Sequence, residues 1–392
     1  MTLRVDSIAL RELRIPLRTP FRTSGGTTTE RRVCLLEFLV GGATAVWSEC
    51  VAGERPDYTG ETIDTAWHVI ETYAAPAVLD RDFESPQAVH AALSWIRGHP
   101  MARAAVEMGY WALAAERRGV SLAALLGGAR DTVESGRTLG IDDDPGVMVE
   151  RALAAVEAGY RKVKMKIEPG RDVEPVRRVR EAIGLDVALS VDANGAYRLE
   201  DAEHLARLDA FGLTMLEQPL PARDFAGLAE LQELLATPIC LDESIETADD
   251  VHTMLALRAG RIVNIKPGRV GGFTESIAIH DLCVESGIPV WCGGMLETGL
   301  GRAYNAALAS LPGFTLPGDL YPASSYLAED LVAPPAPGTE GSVGVRPPAG
   351  AMTVPDAPGV GAVLDTASIE KLEVRQARVA AAAPAGSGGV PT

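Results

Sequence analysis

Residues 162–168 read KVKMKIE. The strict alternation predicts a β-strand, with Val163, Met165 and Ile167 on one face and Lys162, Lys164 and Lys166 on the other. An ordinary half-buried strand would turn the lysines to water. The sequence downstream reverses that reading. Short apolar strands recur there, and four of them end on, or just before, a charged residue: Asp192 in SVDAN, Glu217 in LEQP, Asp242 in LDES and Lys266 in NIKPG. With Lys166 these lie about 25 residues apart, close to one βα unit. One strand-end charge is ordinarily a cap; five in regular succession ask for another explanation. On neighbouring strands of a parallel barrel all five stand at the C-terminal mouth, where barrel enzymes keep their chemistry. Eight such strands can be read from about residue 135, SGRTLGID to GFTLPGD, with helical runs such as EPVRRVREAIG between them. The lysine face then becomes barrel interior, and Lys162, at the bottom of its strand, has no catalytic role.

The three middle residues, Asp192, Glu217 and Asp242, are all carboxylates, and converging carboxylates repel unless a cation sits among them. Hard oxygen ligands without His or Cys select Mg²⁺, with Mn²⁺ or another divalent ion as the alternative. Asn194 is a candidate for supporting that site. Glu243 is a weaker one, since alternation would turn it away from Asp242. Lys166 precedes the acidic trio and Lys266 follows it, so in a closed ring the two can face each other across the ion. Such a pair can take a proton from one face of a substrate and return it on the other, while the ion holds an enolate.

Bulk properties narrow the field further. A formal net charge of -17 argues against a nucleic-acid partner, which would call for a basic surface. No apolar run approaches the ~18 residues of a membrane span, and the start alternates like a strand rather than a signal peptide. Five cysteines without CxxC spacing read as free thiols of a cytoplasmic protein. Six scattered histidines give no zinc pattern. The expected organisation is an α+β module over 1–130, a barrel over 131–320, a segment over 321–375, and a disordered tail over 376–392. Within the third of these, the Pro/Gly-rich residues 331–362 read as a wrapping stretch.

In this order and spacing, KMK, VDAN, EQP, LDES, NIKPGRVGG and CGGMLETGLGR resemble the enolase superfamily. Within it they are most similar to the muconate-lactonizing subgroup, in particular the o-succinylbenzoate synthase / N-succinylamino acid racemase family. The resemblance implies a (β/α)7β TIM-like barrel with an N-terminal α+β capping domain to which the C-terminal segment returns. It implies Asp192, Glu217 and Asp242 as Mg²⁺ ligands, Lys166 and Lys266 as acid/base residues, and Lys164 beside the substrate carboxylate. Softer matches are Arg269, to tune Lys266 or touch substrate; Ser24, Gly25 and Tyr58, in cap loops over the substrate; Gly293, Gly294 and Met295, where substrate approaches the backbone; and Thr138, lining the pocket. A small-molecule carboxylate substrate and a homo-oligomer, dimer to octamer, are implied as well.

The chain departs from the family pattern in two places. Gly25 stands where the cap loop TSxGT commonly has phenylalanine, and LYPASSYLAEDL (320–331) lacks an expected charged pair near Ser324 and Ser325. Both fall on substrate-contact regions. The expected reaction is proton abstraction α to a carboxylate through a metal-stabilised enediolate. It serves either N-acyl (N-succinyl) amino acid racemisation, slightly favoured by Arg269, or dehydration to o-succinylbenzoate. The alternatives are a cycloisomerase or another specialised substrate, and a dipeptide epimerase, which would carry a DxD motif in place of CGGMLETG. A non-catalytic scaffold is disfavoured because no ligand or lysine is missing.

Overall fold

The computed structural model describes residues 2–333 and 350–380. Its first layer is an antiparallel sheet built from β1 (Ser7–Thr23), β2 (Gly26–Val40) and β3 (Ala43–Cys50). The β2–β3 connection is the pair Gly41–Gly42, both at positive φ, as a tight two-residue hairpin requires. The β1–β2 connection is Ser24–Gly25, since Thr23 pairs with Gly26. Ser24 and Gly25, two of the three candidate cap-loop residues, are therefore the tip of one long hairpin. Against this sheet packs the helix Pro100–Arg118, begun by Pro100 at its first turn and ended by the left-handed Gly119.

After β4 (Thr132–Glu134), seven parallel strands follow: β5 (Arg137–Leu139), β6 (Lys162–Lys166), β7 (Ala188–Asp192), β8 (Leu216–Glu217), β9 (Ile239–Leu241), β10 (Ile262–Ile265) and β11 (Val290–Cys292). They are hydrogen-bonded in unbroken sequence order, as successive βα units dictate. The eighth strand expected from GFTLPGD forms no ladder. Instead isolated parallel bridges join Phe314 to Val290 and Gly318 to Ser135, and these close the ring between β11 and β5. Pro317 lies inside the segment and has no N–H to give to a ladder. The fold is the TIM-like barrel with an α+β cap that the sequence implied.

Two further strands tie the ends together. β12 (Ala351–Thr353) pairs with β4, and β13 (Glu373–Ala380) pairs antiparallel with β1 from Ser7↔Ala380 inward. The tail expected to be disordered from 376 is corrected here: residues 376–380 finish a strand, because their backbone groups are taken up by the edge of β1. Residues 381–392 of that tail, and 334–349 of the expected wrapping segment, lie outside the described residues.

The cap also reaches the barrel through buried carboxylates at helix starts. Glu107 accepts from the Phe273 and Thr274 backbone N–H groups at 2.8 and 3.0 Å, where the barrel helix Phe273–Glu285 begins. Glu49, on β3, accepts from Thr298 N at 3.1 Å and Gly301 N at 3.2 Å, where the helix Gly299–Ala309 begins. Each supplies an acceptor to the start of a helix whose N–H groups would otherwise lack partners.

Candidate active site

On β6 every residue is buried, so the alternation separates barrel interior from barrel wall rather than water from core. Val163 and Met165 have no exposed surface and pack in the main apolar core. The lysines point inward and do different things. Lys162 Nζ donates to the Pro317 carbonyl at 2.7 Å and lies 3.9 Å over the Trp291 ring. Lys164 Nζ is 2.6 Å from Asp319 Oδ2, 3.0 Å from Glu217 Oε2 and 3.3 Å from Asp192 Oδ2. Lys166 Nζ donates to Asp192 Oδ2 at 2.6 Å and to Asn194 Oδ1 at 2.7 Å.

Strand register sets the acids level with one another: Lys166 pairs with Asp192, and Asp192 with Glu217. Asp242 follows the last residue of β9, and all three carboxylates are fully buried. Asp242 accepts from Lys266 Nζ at 2.7 Å, from Tyr58 OH at 3.0 Å and from Arg269. Burial pushes Asp192 upward, but Lys166 and Lys164 outweigh it and hold the carboxyl below the ordinary range. Lys266 and Arg269 do the same for Asp242. Glu217 goes the other way: burial first, then Asp192, drive it up to about 8.

Among the described residues no three His, Cys, Asp or Glu side chains surround one point closely enough to hold a metal as they stand. Each acid of the trio is turned toward an ammonium instead. The chemistry of the donor set nonetheless fits a hard divalent cation. It is all oxygen and wholly buried, with three carboxylates on adjacent strands.

The cap completes the chamber. Ser24 Oγ donates to the Ala193 carbonyl at 2.8 Å, seating the hairpin tip on the barrel mouth beside Asp192 and Asn194. Tyr58 OH accepts from Lys266 Nζ at 3.0 Å, and its ring lies 4.6 Å from that nitrogen. A cavity of about 350 Å³ is bounded by Gly25, Tyr58, Lys166, Asn194, Lys266 and Met295, among others. Gly294 lines this cavity and a smaller one beside Lys164, which Thr138 also lines; Thr138 Oγ1 is buried there without a hydrogen-bond partner. Gly293 lies behind Lys266: a Cβ there would come 2.5 Å from Lys266 Cε, so only glycine leaves the lysine its place.

Arg269 reaches neither the surface nor the cavity wall. It is fully buried and donates to Asp242, to Ile245 O at 2.9 Å and to Asn264 O at 2.6 Å, behind Lys266. Glu243 departs from its strand-based expectation. β9 ends at Leu241 and the chain turns, so Glu243 Oε1 accepts from Asn194 Nδ2 at 2.8 Å, with its carboxyl raised to about 7 by burial, Asp242 and Asp192. Two further groups were missed. Asn264, two residues before Lys266 and donating to Glu217 Oε1 at 2.8 Å, could have been found by its spacing. Asp319 ends the GFTLPGD segment about two βα units after Lys266, so the same interval could have marked it.

Two family models match the chain: "Mandelate racemase / muconate lactonizing enzyme, N-terminal domain" over residues 6–127 and "Enolase C-terminal domain-like" over 147–368. An o-succinylbenzoate synthase of Geobacillus stearothermophilus is 43% identical over 371 residues, 95% of this chain and 96% of the relative. An N-succinylamino acid racemase of an Amycolatopsis species is 47% identical over 332 residues, 85% of this chain and 90% of the relative. Among solved structures, an enolase-superfamily member from Listeria innocua superposes with a TM-score of 0.89 at 33% identity, covering 97% of this chain and 100% of that one.

Proposed function

The chain belongs to the mandelate racemase / muconate lactonizing enzyme family of the enolase superfamily, and on that premise we propose that it abstracts the proton α to a carboxylate, with N-succinylamino acids as substrates for racemisation. The observation that carries this reading is the placement of two lysines around one cavity. Lys166 ends β6 and Lys266 follows β10. In the closed ring three positions separate these strands on either side, so the lysines address a bound substrate from opposite directions.

Asp192, Glu217 and Asp242 would hold a divalent cation, Mg²⁺ in our reading, as superfamily members use a divalent metal. When bound, such an ion supplies positive charge where negative charge grows on the substrate carboxylate. The chain's own residues do the rest. One lysine, in its neutral form, accepts the α-proton, and the other, protonated, delivers one to the opposite face. Burial pulls Lys266 down, but Asp242, Tyr58 and Glu217 hold it well above the ordinary lysine range. Release from Asp242 would remove the largest of the groups that raise Lys266, while burial and Arg269 continue to pull it down. Tyr58 and the Ser24–Gly25 tip keep water from the lysines.

Dehydration to o-succinylbenzoate is the second reading, supported by the synthase at 43% identity and by the need for only one base in that reaction. We also place the protein in the cytoplasm as a homo-oligomer, to be measured by light scattering. The test of the main reading is incubation with Mg²⁺ and N-succinylamino acids in D₂O. Deuterium is expected at the α-carbon, and Lys166→Ala should slow its entry from one enantiomer by about 10²- to 10⁴-fold. No exchange with any acyl amino acid would refute racemisation.

A further inference from the structure

Each lysine at the barrel mouth has a partner inside the acidic trio and another outside it. Lys166 leans on Asp192 and on Asn194; Lys266 leans on Asp242 and on Tyr58. Lys164 is the most contested, since its ammonium lies against both Asp192 and Glu217 as well as Asp319. The outside partners of the other two lysines are neutral. Only Lys164 has a carboxylate outside the trio, and at 2.6 Å that is its closest partner.

Asp319 is itself well fixed. Its backbone N–H donates to Cys292 O at 2.9 Å, and its carbonyl accepts from the buried Arg302 guanidinium. Its Oδ2 meets Lys164, while Oδ1 is buried and has no hydrogen-bond partner. A buried carboxylate in that condition is strongly drawn to a nearby ammonium.

We infer that Asp319 is a positioning residue that anchors the Lys164 ammonium, so that a divalent cation can displace it from Asp192 and Glu217. This rests on the reading of Asp192, Glu217 and Asp242 as cation ligands. An ammonium and a divalent ion compete for the same lone pairs, so a site with a lysine at its floor needs somewhere else to anchor that lysine. Asp319 is that anchor. It comes from the segment closing the barrel rather than from a strand of the trio.

The test is calorimetric titration of the purified full chain with Mn²⁺ and with Mg²⁺, without substrate. Asp319→Asn, which keeps shape and removes charge, should weaken binding by about 10- to 100-fold, as losing an outer partner of a metal site does. Lys164→Met removes the competitor, so its affinity should be no weaker than wild type. In the Lys164→Met background Asp319→Asn should have no further effect. If the aspartate acted on the ion by its own charge alone, the loss would persist in that background and the inference would fall. It would fall equally if Asp319→Asn bound as tightly as wild type, or if Lys164→Met bound more weakly. Wild-type protein that binds neither ion would overturn the metal-site reading and this inference with it. Binding unaffected by Asp242→Asn would sink the ligand assignment on which this inference rests.

Discussion

Gly25 is a glycine whose backbone does not require one. It lies outside the positive-φ residues, and a Cβ built there would meet Asp57 and Thr23 at 3.6 Å or more, ordinary contact distances. The absence of a side chain therefore leaves room over the cavity without serving the turn. Its neighbour Gly26 differs: it has φ +150 and the Arg55 guanidinium lies in the space a Cβ would need. Gly25→Phe should accordingly fold with stability within about 0.5 kcal/mol of wild type. It should also raise KM for N-acyl amino acids with bulky side chains by roughly 10-fold or more, while small ones are spared. Steady-state kinetics across a side-chain series, beside denaturant unfolding, checks both halves. Equal effects on all substrates would show that position 25 does not shape specificity.

Secondary-structure elements explain which parts of the site could be read in advance. Asp192, Glu217, Asp242 and Lys266 were legible because a βα repeat has nearly constant length, so the mouth of the barrel returns at a fixed interval. Glu243 was misjudged because strand alternation was extended two residues past the end of β9, into a turn. Asp319 falls on the same interval, about two βα units past Lys266, and was missed because the unit between them ends on Cys292 and not on a charge. Contacts from the cap, such as Ser24 on Ala193, join residues far apart in sequence and leave no local trace. Neither does the Glu107 carboxylate, which reads in sequence as an ordinary helix-surface residue. Yet it is fully buried and accepts from Phe273 N, Thr274 N, Thr274 Oγ1 and Trp111 Nε1. Glu107→Ala should destabilise the protein by on the order of 3 kcal/mol, since several buried donors lose their acceptor at once. A loss below about 0.5 kcal/mol in urea unfolding would show that water replaces the carboxylate at little cost.

Over the whole molecule these buried acids give stability a direction with pH. Burial raises Glu49, Glu61 and Glu107 each to about 7, despite the hydrogen bonds that pull them down. Their ordinary value is 4.5, so between about pH 4.5 and 7 the folded chain holds protons that the unfolded chain releases. Folding is then favoured at the acidic end of that window, and the advantage is lost as pH rises through 7. Glu217 and Glu243 act in the same sense. His90 and His99, lowered by burial, act in the opposite sense near pH 6 and are fewer. With a chelator present, the thermal midpoint should be higher at pH 5.5 than at pH 8, and Glu107→Gln should shrink the difference. A midpoint that climbs from pH 5.5 to pH 8 would contradict this account.

The strand β13 has a consequence for how the molecule is made. It forms one edge of the cap sheet, and its Glu373 bonds Arg11 from 362 residues away in the chain. During synthesis all seven barrel strands emerge before that edge exists. The barrel can begin to form while the cap sheet still shows an unpaired β1 to its surroundings. Assembly of the cap thus ends with a long-range closure, the slow kind of contact to make. A ribosome halted before residue 373 would hold a chain that has every proposed catalytic residue and an unfinished lid.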